Sequence, residues 1–385
     1  MGWSVRIARI RGIDIRLHIT FLFIVALFAF QYWGMGARGW QGALFGIVYV
    51  LLLFACIVLH ELGHSLVAQR FGVQVRDITL WPIGGVAQME DIPRQPSQEL
   101  FMSIAGPAVN FIIAGVLGMV AASLLAVGAL GDIVRLPQLM RQPTWQTLLL
   151  YLLSTNLVLG LFNLIPAFPM DGGRVLRALL AMAMPYIQAT RIAVAVGQGI
   201  ALIFGLAGLL IPGQFTLMLI ALFIFFGAGQ EGQAVAAREL LGDLRVYQAA
   251  SRNTLPVSPT DRLSHVVDLT LNTHQADFMV IEGGRLAGVL SRAAVLDGLR
   301  RYGPEVAVAQ VMCPDYPTVT PDETLLSAQQ KMSKAACQAL PVLEKGQPVA
   351  LLTLADINEA YTLMAINPQV FARPGQDRSR TGLGL

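Results

Sequence analysis

Two imidazoles and a carboxylate stand together in Leu59-His60-Glu61-Leu62-Gly63-His64, inside an apolar run from near Ala43 to near Phe71. Ionisable side chains in such a run are unfavourable and mark function. On a helix, His60 and His64 lie four residues apart on one face, about one turn from each other. Two imidazole nitrogens so spaced can hold one zinc ion. Glu61 can then reach a water at that ion and take its proton, the arrangement used for metal-assisted peptide hydrolysis. Such a site needs a third ligand. Asp171 is the only carboxylate between Trp145 and Gln230, and it follows the proline-broken segment Asn163-Leu164-Ile165-Pro166-Ala167-Phe168-Pro169-Met170. A carboxylate at a broken helix end, at the expected depth of the histidines, is placed to complete a His, His, Asp set; the alternative is a simple loop aspartate. Gly172 and Gly173 permit close backbone approach. Irregular backbone at membrane depth is tolerated where it lines a watery cavity.

The elements that must carry these residues are apolar. The 385 residues are 55% hydrophobic and 13% charged, with mean hydropathy +0.60, against roughly 25% charged in a soluble chain. The deficit is concentrated before about Gln230. About six transmembrane helices are expected: Leu17–Trp33, Ala43–Phe71 with the histidines, Leu100–Val127, Thr147–Leu164, Ile192–Ile211 and Phe215–Gly227. The arginines before Leu17 precede a run long enough to span, with no convincing cleavage site, so the first helix is expected to be retained. Arg70, Arg76, Arg94, Arg174, Arg177, Arg191, Arg238 and Arg245 then fall on one side with the N-terminus. The positive-inside bias makes that side cytosolic, in a multi-pass protein of the cell membrane. Val73–Glu90 is rich in β-branched residues, with Gly84-Gly85 as a turn. It reads as a β-hairpin or sheet beside the histidine helix, either a connecting loop or an edge strand able to pair with an unwound peptide. The net charge of +3 and the lack of a basic cluster argue against nucleic acid. Cys56, Cys313 and Cys337 have no zinc-ligand spacing and are expected to be free thiols. His18, His265 and His274 lack partners in the sequence and are expected at surfaces or interfaces.

With these motifs placed, the chain resembles the site-2 protease family of intramembrane zinc metalloproteases. The resemblance rests on His60-Glu61-Leu62-Gly63-His64 and on Asn163 through Gly173. Ala105-Gly106-Pro107-Ala108-Val109-Asn110 and Gly84-Gly85 add to it. It implies one zinc ion per chain on His60, His64 and Asp171, with Glu61 as general base. It also implies membrane-spanning segments of other proteins as substrates, within the lipid bilayer. Unlike one subgroup, this chain has no inserted PDZ-like domain between the motifs. Asn163 and Asn110 are candidates for stabilising the oxyanion or holding substrate backbone, or else for hydrogen bonds that pin helices together. A transmembrane substrate has its carbonyls engaged, so it must unwind locally at the cut.

The C-terminal part reads as a soluble α/β domain. Thr254–Asp261 recurs loosely as Pro317–Glu323. Phe278-Met279-Val280-Ile281 with Gly288-Val289-Leu290-Ser291 recurs as Leu340-Pro341-Val342-Leu343 with Ala350-Leu351-Leu352-Thr353. The period of about 60 residues marks paired units sharing a core and resembles a tandem pair of CBS domains. That resemblance implies an adenine nucleotide, ATP or AMP, with Thr353 and Asp356 at the ribose; the first copy has Ser291 but Ala294. Thr353 and Asp356 suit a helix N-cap equally well, and homodimerisation through the domain is the rival to nucleotide binding. The expected organisation is a transmembrane domain over 1–235, a linker over 236–250, repeats over 251–305 and 306–366, and a disordered tail over 367–385. A channel or transporter with a CBS pair and a non-catalytic zinc site is the alternative function, although such a site has no need of Glu61.

Overall fold

The computed structural model describes residues 3–35, 39–82, 84–89, 95–129, 140–335 and 338–367. It divides into two compact units, Met1–Gln233 and Ala234–Leu385. The expected tail beyond Asn367 lies outside the described residues.

The first unit opens with strands, an element absent from the reading of the sequence. β1 (Ser4–Ile10) and β2 (Ile13–His18) form a hairpin. Its two turn residues, Arg11 and Gly12, both have positive φ, the backbone that matches the twist of a two-residue hairpin. The alternating arginines there look like membrane flanks in sequence. In the fold, Arg6, Arg9 and Arg16 gather around Asp14 at 3.5–3.8 Å. β3 (Val75–Trp81) pairs in parallel with β2, and β4 (Gly84–Met89) pairs antiparallel with β3. The order β1-β2-β3-β4 leaves β4 at an edge. Gly84 and Gly85 lie in β4, opposite Trp81 and Leu80, and not in the turn. Ile13, Ile78 and Val75 pack on Leu62, Ala68 and Met102, so the sheet covers the helix that carries the histidines.

The helices follow. Leu17 and His18 belong to β2, and His18 stacks on Trp81 with ring centroids 3.9 Å apart. This leaves α1 (Phe21–Gln31) only 11 residues, about 16 Å long and short of the ~30 Å bilayer core. Five helices are long and apolar enough to cross a membrane: α2 (Gly39–Arg70), α3 (Pro96–Ala126), α4 (Trp145–Asn163), α6 (Tyr186–Leu210) and α7 (Phe215–Asp243). The first expected span is therefore divided between sheet and short helix. The sixth expected span runs on into the expected linker as one continuous helix, α7.

Between α4 and α6 lie an irregular loop and the short helix α5 (Asp171–Ala181). Within the loop Ala167, Phe168 and Met170 are buried. Glycines let α6 and α7 close over them: a Cβ at Gly197 would stand 3.2 Å from the Ala167 Cα, and one at Gly227 would stand 2.6 Å from the Pro169 Cδ. Irregular backbone at this depth is shielded by protein, as the absence of water in a bilayer requires.

The second unit contains two equivalent halves. The first has α9 (Leu263–Thr273), β5 (Phe278–Glu282), β6 (Arg285–Leu290) and α10 (Arg292–Tyr302). The short helix α8 (Val246–Ala249) precedes it. The second half has α11 (Leu325–Lys334), β7 (Ala339–Glu344), β8 (Gln347–Thr353) and α12 (Leu354–Ile366). Val257 bridges Val280 in parallel, and Val319 bridges Val342 in the same way. Each hairpin carries its register shift at the same place, after Val280 and after Val342. Met279, Val289, Ala339 and Leu351 form a buried cluster shared by the halves. Cys56 is a free, buried thiol. Cys313 is disulfide-bonded, against the expectation of a free thiol; proximity between distant cysteines is a tertiary property that spacing does not reveal. Cys337 lies outside the described residues.

Candidate active site

α2 places His60 and His64 one turn apart, and both are buried. Their Nε2 atoms are 3.2 Å from each other. Asp171, the first residue of α5, brings its Oδ2 to 3.2 Å from the His64 Nε2 and 3.4 Å from the His60 Nε2. These three residues are the group of potential metal ligands found among the described residues. The edges of this triangle test whether an ion fits. Zinc–nitrogen and zinc–oxygen bonds of about 2.0–2.1 Å in a tetrahedron put adjacent ligand atoms about 3.3 Å apart. The observed edges match one tetrahedral face, so these residues could hold zinc and leave a fourth position open.

The far sides of the rings are tied down. His60 Nδ1 donates to the Asn110 Oδ1 on α3, and Asn110 Nδ2 donates to the Asn156 Oδ1 on α4 at 2.9 Å. Asn156 Nδ2 in turn donates to the Leu152 carbonyl at 2.8 Å. His64 Nδ1 donates to the Met102 carbonyl at 2.6 Å. An Nδ1–H committed to an oxygen leaves Nε2 with its lone pair, the tautomer a metal ligand requires. The rings also need room. A Cβ on Gly106 would meet the His64 Nε2 at 2.2 Å and the His60 Cε1 at 2.8 Å. Only glycine lets α3 pass behind them, which gives the Ala105-Gly106-Pro107 stretch its physical meaning.

Asp171 reaches the histidines because its loop folds tightly back on itself. A Cβ on Gly172 would lie 2.2 Å from the Ile165 carbonyl oxygen, and one on Gly173 would lie 2.6 Å from the Phe168 nitrogen. Glu61, on the same helix, is not among the converging ligands and makes no hydrogen bond among the described residues. Its side chain lies against β4: a Cβ on Gly85 would stand 2.9 Å from the Glu61 Cγ. The carboxylate is thus free of hydrogen bonds and close to an edge strand.

The remaining sequence candidates separate. Asn110 is committed to His60 and Asn156, so its amide orients a ring and joins helices. Asn163 ends α4, half-buried and without a hydrogen-bond partner among the described residues. Thr353 and Asp356 form a reciprocal cap on α12: Thr353 Oγ1 accepts from the Asp356 amide at 3.2 Å, and Asp356 Oδ2 accepts from the Thr353 amide at 2.8 Å. Asp356 Oδ1 also accepts from Ser251 Oγ at 2.9 Å. Asn156 was missed in the sequence. Its signal was available, an amide inside an otherwise apolar helix, which needs an internal partner.

The chain is similar to known proteins over most of its length. Peptidase family M50 matches residues 48–206, and the CBS domain family matches residues 308–362. A zinc metalloprotease of Methanocaldococcus jannaschii is 36% identical over 373 residues, covering 96% of this chain and 99% of that protein. Stage IV sporulation protein FB of Bacillus subtilis is 31% identical over 153 residues, covering 39% of this chain and 47% of that protein. The solved site-2 protease from Methanocaldococcus jannaschii is 44% identical and covers 60% of this chain and 95% of that one, with a TM-score of 0.41. The reading as a channel or transporter gives way to these relatives. The chain belongs to the site-2 protease family, peptidase family M50, and is a zinc metalloprotease with several membrane-spanning helices and a C-terminal CBS domain.

Proposed function

We propose that this protein cuts peptide bonds within or beside transmembrane segments of other membrane proteins, with one zinc ion per chain on His60, His64 and Asp171 and with Glu61 as general base. The convergence of the two Nε2 atoms and the Asp171 Oδ2 at 3.2–3.4 Å carries this reading. A zinc ion bound there supplies a Lewis acid and a water acidified to a pKa around 7. Glu61 accepts the proton of the attacking water at a carboxylate oxygen and returns it to the leaving amine. Its freedom from other hydrogen bonds keeps that oxygen available. Asn110 and the Met102 carbonyl hold the imidazoles still while charge develops. Asn163 is a candidate donor to substrate backbone. The edge of β4 beside Glu61 supports a substrate bound as an added strand, in which an unwound peptide pairs its backbone along the sheet.

The N-terminus and the CBS pair are assigned to the cytosol and the protein to the cell membrane, on the distribution of arginines. The units are assigned as 1–235 for the protease, 236–250 for the linker, and 251–305 and 306–366 for the repeats. The pair is assigned regulation by an adenine nucleotide, ATP or AMP, with Thr353 and Asp356 as its ribose contacts; homodimerisation through the domain is the rival role. Asp356 is bonded to Ser251 and Thr353, so a ribose must exchange with those contacts.

Glu61→Gln tests the reaction. It keeps the size and zinc ligands but removes the base. General-base loss lowers rates by about 10²–10⁴-fold, so a co-expressed membrane substrate should accumulate uncut while zinc content stays at wild type. Cleavage at the wild-type rate would exclude this mechanism. The nucleotide assignment is tested by titrating AMP and ATP onto the full-length protein. Saturation at about 100 times Kd stabilises a single site by about 2.7 kcal/mol, and an unchanged melt at millimolar ligand would refute it.

A further inference from the structure

Among the described residues Arg177 is the largest fully buried side chain, and it takes no part in the reaction described above. It lies on α5, the helix that Asp171 begins. Its Nε donates to the Glu99 Oε1 at 2.8 Å, and its Nη2 donates to the same oxygen. Its Nη1 donates to the Glu231 Oε1 on α7 at 2.7 Å. The guanidinium also lies 4.9 Å from the Phe168 ring centroid, in the loop that delivers Asp171.

Glu99 is the informative partner. It stands in the first turn of α3, one turn before Met102, whose carbonyl fixes His64. The same helix supplies Gly106 behind both rings and Asn110 for His60. The histidines and the aspartate come from segments distant in sequence, yet both are referenced to α3, the histidines through Met102 and Asn110 and the aspartate through Arg177 and Glu99. A buried ion pair adds little net stability compared with apolar residues of equal volume. What it supplies is directional: a forked donor fixes distance and angle in a way that apolar packing does not.

We propose that Arg177, through Glu99, is a positioning residue that sets the distance of the Asp171 carboxylate from the His60–His64 pair and thereby the affinity of the zinc site. This rests on the assignment of those three residues as ligands.

The test uses full-length protein in detergent and two readouts other than proteolysis: zinc retention against a competing chelator, and the visible spectrum of the cobalt-loaded protein. Removing Arg177 alone strands Glu99 as a buried charge, so the variant is Arg177→Met together with Glu99→Met, which puts apolar side chains of similar volume in place of the pair and leaves Glu231, partly exposed, to be solvated. It should melt within a few degrees of wild type, as a neutralised buried pair does. Its zinc affinity should fall about 10–100-fold, the usual effect of losing a group that orients a ligand, and its cobalt spectrum should change. Arg177→Lys keeps the charge but loses the fork, and it should recover part of the affinity. Wild-type zinc affinity with an unaltered cobalt spectrum, in either variant that folds, overturns the proposal. Asp171→Ala separates the two levels. If it keeps zinc, the ligand assignment itself fails; if it loses zinc while the Arg177 variants do not, only the positioning role falls.

Discussion

His64 Nε2 and Asp171 Oδ2 stand 3.2 Å apart, although 107 residues separate them in the chain. The contact joins a regular helix, α2, to an irregular loop held under α6 and α7. Neither segment explains it alone. α3 packs against both α2 and α5, presenting Gly106 to the rings and oxygen acceptors to both Nδ1 atoms.

Replacing Asp171 with alanine removes the one anionic corner of the triangle. The purified variant should lose its zinc to a chelator that leaves the wild-type protein loaded, and proteolysis should disappear with it. Elemental analysis after dialysis decides. A variant that stays stoichiometrically loaded would require a different third ligand.

Asn156 touches neither zinc ligand directly. It accepts from Asn110 and so keeps the Asn110 oxygen turned toward His60. Asn156→Ala should weaken zinc binding by up to about 10–100-fold, and Asn110→Leu should weaken it further, because His60 then loses its acceptor. Competition with a chromogenic chelator measures both. Equal affinity in all three proteins would mean that the amide pair only joins helices.

Gly106→Ala puts a Cβ 2.2 Å from the His64 Nε2. Overpacking of this kind destabilises by about 1–3 kcal/mol, and here the strain falls on a ligand ring, so zinc content should drop as well. Gly115, on the same helix, has nothing within 4 Å of its would-be Cβ, and Gly115→Ala should hold or slightly raise the melting temperature, since alanine favours a helix over glycine, and leave zinc content unchanged. If the two variants behave alike, the close approach at Gly106 is not what the site requires.

Asp277, in the second unit, has its carboxyl raised above the ordinary 3.8, first by burial and then by the charge of Asp356, against the lowering effect of the Arg292 amide. The native state therefore holds this proton more tightly than the unfolded chain. Its stabilising contribution is complete below the ordinary value and is lost as pH rises through the native one. Asp277→Asn keeps an oxygen for the Arg292 amide but escapes the loss. Scanning calorimetry of the full-length protein should show this unit melting higher than wild type at pH 7, with the difference narrowing toward about pH 4. A difference that is constant or grows on acidification would contradict the sign.

Local periodicity by itself determined a good deal about this protein. Four-residue spacing puts His60 and His64 on one helical face, alternating β-branched residues write β3 into the chain, and a lone carboxylate after two prolines singles out Asp171. The repeated strand patterns of the second unit are equally local. The tertiary structure decided what depends on partners far away in the chain. It turned Leu17 and His18 into sheet and shortened α1, because β2 found β3 as a neighbour. It moved Gly84-Gly85 from a turn to a strand beside Glu61. It assigned Asn110 to a histidine, since only packing against α2 and α4 shows where an amide's hydrogen bonds go. Helix and strand patterns are properties of neighbouring residues. The distances that make a metal site are properties of two distant segments brought onto one template helix, and no spacing within either of them records those distances.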